Sequence, residues 1–279
     1  MFSFFFKTLL FLLVIAQIDA TQTNKMKILV LIVASDDQPV YLELQKTWRA
    51  YMHLDPEHVE AYFIKADPNL RTECEIKGDV IWAKTETSLN PGMINKTILA
   101  MEYMVPRLKE FDYVIRTNLS SFYVFPRIFK FLKTLPRTEC FCAQICQRIP
   151  GVIHACGLPQ QIGFEGIIWA QGAGVIFSPD FIELIVQNKS RFWNQGVPGE
   201  MFTNEDVVLS AFFQQNRIPI IPAPRFEILT VADWHQNKNT IPKDAFHFRV
   251  KNPQDGSRQT EDIYIHKQLL KMFYNVTLE

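Results

Sequence analysis

The sequence predicts an α/β layer sandwich built on a mostly parallel central sheet, and three observations carry that prediction. A β-branched apolar run at residues 27–34 stops at Ser35-Asp36-Asp37, as expected of a strand buried on both faces. Amphipathic helical stretches separate this run from further short strands, so strand and helix alternate along the first half. With 279 residues, 48% hydrophobic and 21% charged, the chain can bury a sizeable core.

Each element follows from its local pattern. Residues 39–52 read as a helix with Val40, Leu44, Thr47, Trp48 and Tyr51 near one face. Short strands follow at residues 59–64, 79–83 and 112–116. Between the last two, Met93, Ile94, Ile98, Met101 and Val105 form a helical stripe that should end or kink at Pro106. Residues 126–135 form a short helix opened by proline, and the cysteine-bearing stretch after it reads as irregular or extended. Residues 166–178 combine an extended apolar run with three glycines, a sign of backbone passing close to another element or a ligand. Ser178-Pro179-Asp180 and Asn204-Glu205-Asp206 each open a helix. No internal repeat or low-complexity linker interrupts the chain.

Charge excludes some functions. Lysine plus arginine and aspartate plus glutamate number 29 each, so no global field recruits nucleic acid, and an anionic ligand must be met by local cations. Residues 1–20 carry Lys7 and an apolar run from Thr8 to Ile18, which fits a signal peptide or an uncleaved type II anchor, with residues 21–279 as the folded domain. The rival is a cytosolic chain starting at Met26. Sequons at Asn95, Asn118, Asn188 and Asn275 agree with the lumen of the secretory pathway (Golgi or endoplasmic reticulum). Five cysteines leave at least one unpaired in a monomer; disulfides among Cys140, Cys142, Cys146 and Cys156 would support that compartment, and their spacing does not match zinc knuckles.

Several pieces stand in a recognisable order: Gln45-Lys46-Thr47-Trp48, then residues 111–117, then Gly172-Ala173-Gly174-Val175-Ile176-Phe177-Ser178 before a helix, then Glu205-Asp206-Val207. Over roughly residues 26–225 this resembles the β-1,3-galactosyltransferase and Fringe family of inverting glycosyltransferases, which have the GT-A fold. The resemblance implies a nucleotide-sugar donor, usually a UDP-sugar, and a glycan or glycoprotein hydroxyl as acceptor. It also implies an acidic triplet at the end of the strand at 112–116, holding a divalent cation on the donor diphosphate.

Here those triplet positions are Asn118, Leu119 and Ser120. Neutral oxygens and a leucine argue against a tightly held Mn²⁺ or Mg²⁺, although the leaving diphosphate still needs positive charge beside it. His247, Arg249 and Lys251 alternate and, if extended, share one face. Arg249 and Lys251 are the candidate diphosphate clamps, and His247 stands where many glycosyltransferases of this fold complete a metal site. Asp36, Arg116, Asn118 and Ser120 complete the expected donor side. Asp206 is the expected general base, with Glu205 beside it; Trp169, Gly172 and Gly174 are placed on the acceptor side. Trp193 is a second candidate for sugar stacking, and Trp48 reads as a core anchor. The rival reading is a glycosyltransferase-like protein that binds nucleotide or glycan without turnover.

Overall fold

The computed structural model describes residues 26–88, 91–147, 168–190 and 205–278. The N-terminal segment at 1–20, His154, Cys156 and Trp193 lie outside the described residues. Strand β1 (Ile28–Val33) is buried at every position and leads through helix α1 (Pro39–Arg49) to β2 (Val59–Ala66). Strands β3 (Cys74–Lys77) and β4 (Val80–Ala83) follow, then α2 (Gly92–Met104). Pro106 falls in a 3₁₀ turn, Val105–Glu110, because proline removes the hydrogen bond that would continue the α-helix. The turn delivers the chain to β5 (Tyr113–Asn118).

Beyond β5 the chain forms β6 (Ser121–Tyr123), α3 (Phe125–Leu132), β7 (Phe141–Gln147), β8 (Ile168–Phe177) and α4 (Pro179–Gln187). Helix α5 (Glu205–Gln215), β9 (Ile221–Pro222), β10 (Phe226–Ile228), α6 (Val231–Asn237), β11 (His247–Val250) and α7 (Asp255–Tyr274) complete it. The large sheet has the order β3-β4-β2-β1-β5-β8-β7-β9, and a smaller one the order β10-β11-β6.

The large sheet is mostly parallel, as expected, with four of its seven pairings parallel and the other three, those of β3 with β4 and of β8 with β5 and β7, antiparallel. Strands β4, β2, β1 and β5 run parallel, whereas β8 is antiparallel to both β5 and β7. Helical crossovers give the first half its parallel pairs, while antiparallel neighbours need no crossover helix. The two faces of β1 carry separate cores. Ile28, Val30 and Ile32 pack with Val40, Leu44 and Trp48 of α1 and with Ile265 and Leu269 of α7. Leu29 and Leu31 pack with Ile98 and Met101 of α2, Ile182 of α4 and Phe213 of α5. Each such buried aliphatic contributes about 1.5–3 kcal/mol, so helices on both faces hold β1 rigidly.

The short strands β3, β6, β9 and β10 and the helices α6 and α7 were not anticipated. The cysteine-bearing stretch is extended, as read, and forms strand β7 with a register shift between Ala143 and Ile145; Cys140 just before it and Cys142 within it are buried free thiols. Arg258 lies in the first turn of α7.

Candidate active site

A cavity of about 710 Å³ opens at the carboxyl ends of β1 and β5. These strands run parallel with Val33 opposite Asn118. From β1 the chain builds outward on one side through β2 and β4 and returns on the other as β5, so the cavity sits where the strand order reverses. Ser35 and Asp37 line it from the end of β1, Asn118 and Ser120 from β5, and Met93 and Lys96 from the start of α2. Trp169, Gln171 and Gly172 of β8 and Glu205 and Asp206 of α5 form a further wall. The small sheet and α7 add Arg249, Lys251 and Arg258.

Pairing in the small sheet explains Arg249. Strand β6 is antiparallel to β11 with Arg249 opposite Ser121, and the Val250 amide donates to the Ser120 carbonyl at 2.8 Å. The Arg249 guanidinium therefore reaches the end of β5. Its Nη1 donates to Asn118 Oδ1 at 2.8 Å and also to Ser120 Oγ, while Ser120 Oγ donates to Asn118 Oδ1 at 3.0 Å. Trp48 Nε1 fixes the turn from behind by donating to the Leu119 carbonyl at 3.2 Å. Burial, with the nearby Arg225 cation, pushes the Arg249 guanidinium down to about 10. Lys251 is likewise lowered by burial and then by Arg249. Arg258 Nε binds Asp262 Oδ2 at 2.9 Å, and its guanidinium lies 5.5 Å from the Tyr41 ring centre.

The opposite end carries the acids. Glu205 is buried, pairs with Arg116 Nη2, and is raised by burial against the pull of Arg116. Asp206 Oδ2 accepts from the Gly172 amide at 3.1 Å. Lys96 Nζ donates to the Ala34 carbonyl at 2.8 Å and is pushed down to about 8 by burial, with Glu205 opposing. Among the described residues the carboxylates that line the cavity are Asp37, Glu205 and Asp206. The strongest charges acting on Lys96 are Glu205, Arg116, Asp37 and Lys65, and those acting on Arg249 are Arg225, Glu227, Arg258 and Asp262.

Not every expected residue faces this cavity. His247 is fully buried beneath it; its ring stacks on Tyr123 at 4.4 Å, Nε2 meets Ser121 Oγ at 3.2 Å, and burial holds it well below its ordinary value. The alternation of His247 with Arg249 was legible, but His247 is opposite Tyr123 and lies deeper along the strand. Gly174 is beneath the cavity too: a Cβ there would stand 2.3 Å from Tyr123 Oη and 2.4 Å from His247 Cε1, so its glycine serves packing. Asp36 is turned to Lys65 Nζ at 2.6 Å and Gln45 Nε2 at 2.9 Å. Burial opposes its charge, yet those bonds hold its carboxyl below the usual range, and Asp37 takes its place on the cavity wall.

The structure also brings in Lys96, Tyr41 and Gln171, none of them anticipated. Lys96 had a signal: it stands three residues from Met93 and two from Ile98, a charge inside an apolar helical stripe. Asn118, Leu119 and Ser120 do not fit a divalent cation. Their two polar side chains are neutral and already accept from a guanidinium, which would repel a second cation. Among the described residues no three His, Cys, Asp or Glu side chains cluster as metal ligands.

No protein-family model matches the chain, and no curated protein matches it in sequence. Its fold is shared with a solved glycosyltransferase involved in the glycosylation of the major capsid of PBCV-1. The two superpose with a TM-score of 0.50 at 10% identity, over 86% of this chain and 99% of that one. At that identity the likeness is one of fold.

Proposed function

We propose that this chain is an inverting glycosyltransferase that binds a nucleoside diphosphate sugar, a UDP-sugar by its resemblance to the galactosyltransferase and Fringe enzymes, and transfers the sugar to a glycan hydroxyl. The observation that carries this reading is Arg249 between Asn118 and Ser120. A cation tethered to the protein stands at the strand end where the resembled family holds its metal. Arg249, with Lys251 and Arg258, receives the diphosphate and stabilises the charge it gains as the glycosidic bond breaks. The sugar then points to the acid end, where Asp206 takes the proton of the attacking hydroxyl.

The alternative is donor binding without turnover, favoured by the neutral triplet positions themselves. Residues 1–20 and the sequons support a lumenal site of action, soluble or held by an N-terminal anchor. Among the described residues no helix is long and apolar enough to cross a membrane. Asn275 is exposed, whereas a glycan on Asn118 would fill the donor cavity.

The test is calorimetric titration of residues 21–279 with UDP-sugars, in Mn²⁺ and in chelator, followed by an assay of UDP release. Binding that survives chelation, together with UDP release, is the expected result. Binding without release moves the protein to the non-catalytic class, and binding that requires Mn²⁺ refutes the arginine clamp.

A further inference from the structure

We propose that Arg116, expected on the donor side, is instead a positioning residue: it grips the Gly172 carbonyl and Glu205 with its two Nη atoms, and through them sets where the Asp206 carboxylate stands. Glu205 then serves this grip and not the chemistry. The inference rests on the reading of Asp206 as the base.

The groups form a closed circuit across three elements. From β5, Arg116 Nη1 donates to the Gly172 carbonyl on β8, and Nη2 donates to Glu205 Oε2 on α5. Asp206, next in the chain, returns the connection to β8 by accepting from the Gly172 amide at 3.1 Å. One turn on, Ser210 Oγ accepts from the Ala170 amide at 2.9 Å and donates to the Asp206 carbonyl at 2.6 Å. Asp206 is therefore held by its side chain and by its backbone to neighbouring positions of one strand. Glycine at 172 leaves room for this closeness, since a Cβ would stand tightly at 3.0 Å from Arg116 Nη1 and 3.2 Å from Asp206 Cβ.

The pair is enclosed, with side-chain exposures of 4% for Arg116 and 2% for Glu205. A buried ion pair contributes little net stability because desolvation offsets its attraction, so its value here lies in the geometry it enforces. The same strand ends at Asn118, two residues beyond Arg116, and the turn after it carries Ser120; these two hold Arg249. One rigid strand thus spaces the acid end from the cationic end. In the transfer, the acceptor O–H bond breaks and its proton passes to Asp206. The acceptor oxygen bonds to the anomeric carbon as the bond from that carbon to the phosphate oxygen breaks, and the electron pair leaves with the diphosphate. With water as acceptor the same step yields free sugar and UDP.

The experiment uses the full chain, the variants Arg116→Gln, Arg116→Lys and the double variant Arg116→Gln/Glu205→Gln, and three readouts. These are UDP affinity, UDP release from UDP-glucose and UDP-galactose with water as acceptor, and hydrogen exchange at the Gly172 amide. Arg116→Gln alone strands a buried carboxylate and is at risk of unfolding, whereas the double variant removes both charges. The double variant is expected to bind UDP as the wild type does, to lose about 100-fold in kcat with little change in KM, and to exchange Gly172 about tenfold faster. Arg116→Lys should recover part of the rate. Unchanged Gly172 exchange overturns the proposal, as does a parallel loss of UDP affinity, which would make Arg116 a donor ligand. If the wild type binds no UDP or releases none, the donor reading fails on its own, and Gly172 exchange still decides the positioning.

Discussion

Replacing Arg249 by methionine should move ligand affinity and stability in opposite directions. The guanidinium is largely enclosed, its two Nη1 bonds go to neutral oxygens, and burial has pushed it down from its ordinary value to about 10. A depression of two or more units corresponds to about 3 kcal/mol of strain on the charged form in the ligand-free protein. Solvent at the cavity mouth reduces this to an effect on the order of 1–2 kcal/mol. Methionine keeps the length of the stem and removes the charge, so the ligand-free variant should be more stable by that amount. A diphosphate, in contrast, loses two charge-assisted hydrogen bonds worth about 1.5–3 kcal/mol each. UDP affinity should therefore fall at least about 100-fold, since each 1.4 kcal/mol is a factor of ten. Calorimetry in chelator measures the UDP affinity and urea unfolding the stability. The reasoning fails if the variant binds UDP within threefold of wild type, or if the ligand-free variant is the less stable protein.

Other expectations follow from the buried groups. His247 and His266 are both buried and held neutral, His266 down at about 3, so the unfolded chain takes up protons below about pH 6.5 that the folded one cannot. Stability is complete above that pH and should fall by about 1.4 kcal/mol per pH unit per histidine on acidification. Urea midpoints at pH 5 and pH 7 measure this, and His266→Leu, which also removes two unpartnered ring nitrogens, should halve the slope. Gly174→Ala forces a methyl against Tyr123 and His247 and should cost about 1–3 kcal/mol in chemical denaturation. Trp48→Phe removes the bond to the Leu119 carbonyl; a loss of about 1 kcal/mol with weaker UDP binding is expected, and unchanged binding would show that the turn stands without it.

Local pattern alone determined much of the parallel half. The β-branched run of β1, the stripe of α1 and the proline after α2 act through neighbouring residues, and each appears where its spacing places it. The polar end of β5 was legible for the same reason, because an apolar strand stopping at Asn118 is a feature of adjacent positions. Helix α7 was not legible: its first turn contains Gly256, and part of its hold on the fold comes from distant partners such as Phe125 and Tyr123, which its Tyr274 hydroxyl bridges. The alternation of His247, Arg249 and Lys251 names a shared face without depth. Depth came from the pairing of β11 with β6 and from the slot left by Gly174, which together bury His247 and bring Arg249 to Asn118, 131 residues away in sequence. Likewise Glu205 and Asp206 are adjacent acids at a helix start. Only the packing of α5 on β8 against Arg116 made one a buried ion pair and left the other on the cavity wall, since burial and charge partners belong to contacts between elements and not to the order of residues within one.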